Sequence, residues 1–205
     1  MSYCINLIAD PASPGFGKML NSIHEIKTFT LNDINIIATL FVLFGHNNKS
    51  IYLITHSNKS GHKEDVAKII QEENYIVKEQ TLMRATARPI PSKINSPFTK
   101  RGVYVLRWFN IDMKHVDEIA ELSNGAWPYF ENDDIEVQAL LAETTDEKDG
   151  KMLLITQYKN FMVWENSRKN QDERSSSRFR KRNELMKSAI PFATKLYLPP
   201  KTANM

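Results

Sequence analysis

Residues 34–44, INIIATLFVLF, and residues 50–58, SIYLITHSN, have counterparts further along the chain. These are residues 135–145, IEVQALLAETT, and residues 151–159, KMLLITQYK, both at an offset of 101. The triplet Leu53-Ile54-Thr55 returns as Leu154-Ile155-Thr156, and the same offset carries Tyr3 onto Tyr104 and SYCINLIA onto VYVLRWFN. Three apolar runs that keep one offset also keep the loop lengths between them. Unrelated β-rich segments have no reason to do so, and this spacing marks an internal repeat.

Each run is rich in Ile, Val, Leu, Phe and Tyr and is bounded by turn residues, as strands are. The polar segments 45–49 and 146–150 suit hairpin connections. Helical patterns lie between the strands. In GHKEDVAKIIQ, Val66, Ala67, Ile69 and Ile70 form one face; in DMKHVDEIAEL, Asp112 is the N-cap and Met113, Val116, Ile119 and Ala120 form the face. In the last helical stretch Phe161, Val163 and Trp164 precede a polar gap from Asn166 to Ser177, after which Leu185, Met186 and Ala189 resume the pattern. The halves end in short strands, 81–90 and 191–198, that run into RPIPSK and YLPPK at an offset of 109, so about eight residues are gained within 167–177.

The order strand, helix, strand, hairpin, strand, helix, strand is that of the ferredoxin-like unit. The expected fold is α+β: two ferredoxin-like repeats, 1–91 and 102–205, joined by a linker at 92–101, whose antiparallel sheets pack as a pseudo-dimeric α+β barrel. Residues 34–44 are apolar at nearly every position, so both faces of that strand are expected to be buried, one on helices and one on the second sheet.

Composition excludes several classes. The chain has 205 residues, 41% hydrophobic and 25% charged, with a net charge of +3. That balance fits a globular protein and lacks the basic bias of a nucleic-acid binder. The basic run at Arg178, Arg180, Lys181 and Arg182 reads as a solvated helix face. Cys4 is the single cysteine, inside an apolar run; it reads as a core residue in a reducing compartment, and a cytoplasmic location follows. The longest apolar run is too short for a membrane-spanning helix, and the N-terminus lacks the pattern of a signal peptide. His24, His46, His56, His62 and His115 show no three- or four-residue spacing, so no helix presents a metal pair. The stretch Pro14–Lys18 is followed by a methionine where a phosphate loop needs Ser or Thr, and Gly45–Ser50 reads as a turn. No cofactor is expected, although His115 is the position to test for haem. The expected partner is a small organic ligand, and the chain is expected as a monomer, an internal pseudo-dimer, or a homodimer.

The second half, with KMLLITQYKNFMVWENSR followed by FRKRNELMKSAIPFATKLYLPP, resembles the NIPSNAP-like branch of the dimeric α+β barrel superfamily. The points of likeness are Tyr158 ending a strand, then Trp164, Glu165, Ser167 and Arg168 on a helix, and Arg107 in the first strand of GVYVLRWFNIDMKHVDEIAEL. The first half carries no Trp-Glu or Ser-Arg pair. The resemblance implies a fused barrel with one divergent site in residues 102–200. It leaves two readings open: a small-molecule binder, extending to a cofactor-independent oxygenase, and a non-catalytic interaction scaffold.

The candidate ligand-binding residues are Arg107, Trp108, Trp127, Tyr129, Trp164 and Arg168. Arg107 is a charge in an apolar strand, which either lines a cavity or pairs with Glu143 or Glu165. Strand alternation puts it with Val103, Val105 and Phe109, opposite Tyr104, Leu106, Trp108 and Asn110. Trp127 and Tyr129 leave a helix end, where rings either rim a pocket or fill the core. Helical spacing puts Phe161, Trp164 and Arg168 on one face. No catalytic residue is identifiable.

Overall fold

The computed structural model describes residues 2–9, 23, 29, 33–44, 50–88, 97–169 and 172–198. The strands are β1 (Ser2–Ala9), β2 (Asn35–Phe44), β3 (Ser50–Ser57), β4 (Ile76–Arg88), β5 (Val103–Asp112), β6 (Ile135–Glu143), β7 (Asp149–Tyr158) and β8 (Met186–Leu196). The helices are α1 (His62–Glu72), α2 (Val116–Ala126), α3 (Phe161–Lys169) and α4 (Glu173–Glu184). Three expected features lie wholly or partly outside the described residues: the first helix of the first half apart from residues 23 and 29, the turn at 45–49, and residues 92–96 of the linker.

All strand pairs are antiparallel, and the strands close into a barrel in the order β1-β3-β2-β8-β5-β7-β6-β4. The first half supplies β4-β1-β3-β2 and the second β8-β5-β7-β6. The two sheets face each other and are also hydrogen-bonded edge to edge, through β2–β8 and β4–β6. Closure leaves no open edge among the described strands.

The two halves share their strand registers. Ile5 pairs with Ile54 in the first half and Leu106 with Ile155 in the second, each 101 residues on. A β-bulge sits between Ile36 and Ala38 and again between Val137 and Ala139, at the same offset. The last strands differ. Tyr3 pairs with Met83, whereas Tyr104 pairs with Thr194, so the offset there is 194 − 83 = 111 rather than 109. The additional length is not a polar loop. Residues 173–184 form helix α4, capped by the Asp172 carboxylate, which accepts from the Arg174 backbone N–H. Met186 and Ala189 therefore lie on β8, not on a resumed helix. Asp112 caps a 3-10 turn, Met113–His115, that leads into α2.

Alternation sorts the core. Tyr3, Ile5, Leu7, Leu40, Tyr52, Ile54, Tyr104, Leu106, Leu153 and Ile155 fill the barrel interior. Behind the first half, Ile8, Ile51 and Leu53 pack on Val66, Ile69 and Ile70 of α1. Behind the second, Phe109, Ile111, Val137 and Met152 pack on Val116 and Ile119 of α2 and on Trp127. At one end of the barrel the Tyr104 hydroxyl donates to the Lys100 carbonyl at 2.7 Å, and the Gln157 amide donates to the Arg101 carbonyl at 3.0 Å. The side-chain polar atoms of their counterparts, Tyr3 and His56, are buried and have no hydrogen-bond partner among the described residues.

Candidate functional site

The helix-facing side of the second sheet does not pack shut. A cavity of about 410 Å³ lies between β5, β7 and β8 on one side and α3, α4 and the Trp127–Phe130 turn on the other. Arg107 enters from β5, Thr156 and Tyr158 from β7, Ser167 and Arg168 from α3, and Phe179 and Arg182 from α4. No aspartate or glutamate lines it among the described residues. Because α4 provides one wall, the segment that distinguishes the second half in length also encloses its cavity.

Arg182 is only 4% exposed. Its guanidinium lies 4.6 Å from the Phe179 ring centre and 5.3 Å from that of Phe109, while its hydrogen bond to Ser123 Oγ is long at 3.4 Å. Its Nε has no partner among the described residues. Cation–π contact of this kind is worth about 2 kcal/mol when desolvated. Taking an ion out of water costs several kcal/mol, so the rings alone do not offset the burial. The imbalance appears as a guanidinium pKa lowered to about 9, by burial first and then by the positive charge of Arg107. Tyr158 responds the other way: burial raises its hydroxyl pKa, opposed by Arg107 and by hydrogen bonds to Ser167 and Thr156. It therefore stays a protonated phenol at neutral pH, and the described lining offers no general base.

Of the candidate residues, Arg107, Trp127 and Arg168 line this cavity. Arg107 pairs with neither Glu143 nor Glu165. Glu143 accepts from the Lys151 backbone N–H, and Glu165 pairs with Lys169. Trp164 lies one layer back, with Arg168 stacked 4.9 Å above its ring and Phe161 at 6.0 Å. Tyr129 is 41% exposed and lies beneath Arg174, on a separate depression with Asn132 and Ser175. Trp108 is on the opposite face of β5, packed against the barrel interior and away from the cavity.

Three contributors are not marked by any motif. Arg182 belongs to a basic run that reads as a solvated face, yet it is buried; Phe179 three residues before it, with Ser175 at i−7, is the helical spacing that points inward. Arg88 of β4 reaches across from the first half. It binds the Glu131 carboxylate through two bonds of 2.7 Å, donates to the Val137 carbonyl at 2.6 Å and stacks on Trp127 at 4.8 Å. A bidentate, half-buried pair of this kind fixes the Trp127 turn.

No family model and no curated protein sequence matches the chain. Solved structures do. An anthrone oxidase-like protein superposes with a TM-score of 0.58 at 12% identity, covering 96% of this chain and 91% of that one. A mutant chlorite dismutase from Candidatus Nitrospira defluvii gives 0.61 at 7%, over 96% and 91%. A haem-binding protein from Thermus thermophilus gives 0.57 at 9%, over 96% and 90%. Similarity of shape across nearly the whole length, with so little identity, establishes architecture: this chain has the ferredoxin-like, dimeric α+β barrel fold.

Proposed function

We propose that the protein binds a small organic molecule in the cavity between the second sheet and helices α3 and α4. The observation that carries this reading is a space of about 410 Å³ with arginine and aromatic walls, within the size range of small-molecule sites. The chain is read as a tandem repeat, 1–91 and 102–205 about a linker at 92–101, of the NIPSNAP-like branch. It is read as cytoplasmic, with one site per chain, and either as a monomer that is an internal pseudo-dimer or as a homodimer. Among the described residues no helix is long and apolar enough to cross a membrane.

Haem does not suit these walls. No histidine or cysteine lines the cavity among the described residues, His115 lies against Glu118 at the start of α2, and Tyr158 is held protonated. A second reading, a cofactor-independent oxygenase, is supported by the likeness to an anthrone oxidase-like protein and by guanidinium groups suited to an enolate or phenolate. It predicts oxygen consumption with anthrone-type phenols, measured at an oxygen electrode.

The binding reading is tested by a fragment screen on the full chain, following thermal shift, with Ser167→Trp as a variant that fills the cavity. Fragments that stabilise the native protein at one per chain and lose their effect in the filled variant are expected. A screen in which every hit stabilises both proteins equally removes the cavity as the site.

A further inference from the structure

The cavity carries positive charge that its own walls do not neutralise. Arg107, Arg168 and Arg182 all line it, and none forms an ion pair with a carboxylate among the described residues. Arg182 is the telling group. It is buried and held by two ring faces, with its Nε unpartnered among the described residues. Arg168 stacks on Trp164, and Arg107 enters the cavity from the centre of β5. Guanidinium groups held in place before any anion arrives lose little freedom on binding one, and their forked donors match a carboxylate in two bonds. Much of the remaining wall is aromatic: Trp127, Phe130 and Phe179.

Resting on the binding reading above, we infer that the ligand is an aromatic carboxylate, with its carboxylate between Arg107 and Arg182 and its ring against Trp127, Phe130 and Phe179. The structure favours this over a neutral aromatic, which would leave Arg182 buried without a counter-charge. It favours it over a small inorganic anion, which would leave the ring surfaces unused.

The test uses calorimetric titration of the full chain with benzoate, 4-hydroxybenzoate and 2-naphthoate, each against its neutral amide. At least one carboxylate is expected to bind at one per chain, roughly tenfold or more tighter than its amide. Arg182→Met and Arg107→Met should each remove that preference while leaving the amide affinity within about twofold. Should Arg182→Met fail to fold, Arg107→Met carries the same comparison alone. Equal binding of acid and amide, lost in Ser167→Trp, would overturn the carboxylate assignment and leave the binding reading standing. Failure of every acid and amide, with fragment hits confined elsewhere, would overturn both.

Discussion

The same positions in the two halves are used in opposite ways. Arg107 faces a cavity; its counterpart at the offset of 101, Asn6, is fully buried in a closed network. The Asn6 amide donates to the Cys4 and Leu53 carbonyls and its oxygen accepts from Gln80 at 2.7 Å. Thr156 lines the cavity, whereas Thr55 is hydrogen-bonded to His62 Nε2 at 3.0 Å, and His62 Nδ1 meets Ser2 Oγ at 2.9 Å. Tyr158 lines the cavity, whereas Ser57 accepts from the Lys59 backbone N–H. Among the described residues, one sheet face carries neutral, mutually bonded polar groups, and the other borders a cavity with charges that lack ion-pair partners. A shared backbone thus sets where a site can form, and a few side chains decide whether it does.

That contrast is most easily broken by exchanging residues. Asn6→Arg puts an uncompensated cation into a fully buried position and is expected to cost about 3–5 kcal/mol. The reverse change, Arg107→Asn, is expected to alter stability by less than about 1 kcal/mol. Denaturant unfolding of both variants checks this, and equal losses would show that positions 6 and 107 are equally closed to water. A subtler pair is Thr55→Val and Thr156→Val. The first leaves a buried His62 nitrogen without its partner and should cost about 1–3 kcal/mol. The second opens onto a space where water can replace the lost bond and should cost under about 1 kcal/mol.

A further contrast is a pH response expected of the first half. Burial, reinforced by the neighbouring His56, lowers the His62 pKa from 6.5 to about 4, and burial lowers that of His56 as well. Between those values the unfolded chain binds protons that the folded chain does not. Stability should therefore be fully present above the unfolded value and decline as pH falls toward the folded one. The thermal midpoint should drop across that window, and His62→Gln should flatten the decline. A native-like slope in that variant would place the titration elsewhere.

Much of the architecture was legible in the chain. The offset of 101 reappears in the strand registers and even in the position of a bulge, because a period-two pattern ties each side chain to one face. The same alternation separates Arg107 from Trp108. What stayed hidden was helix α4. Its inward stripe is Ser175, Phe179 and Arg182, and only one of these is apolar, so hydrophobic periodicity passes over it as a polar gap. Arg88 stayed hidden because its partner Glu131 lies 43 residues away, across a barrel seam that no local pattern reports. The missed residues belong to the site because sites keep the charges that core patterning leaves out.

One chain closes this barrel through both of its seams. In a barrel built from two identical chains every substitution appears twice, so hollowing one side hollows the other, and assembly depends on concentration. Here a change is made once. One half can change its packing while the other keeps its own side chains. A side chain exchanged in the second half leaves its counterpart in the first half as it was, so the barrel closes on one altered face and one unaltered face.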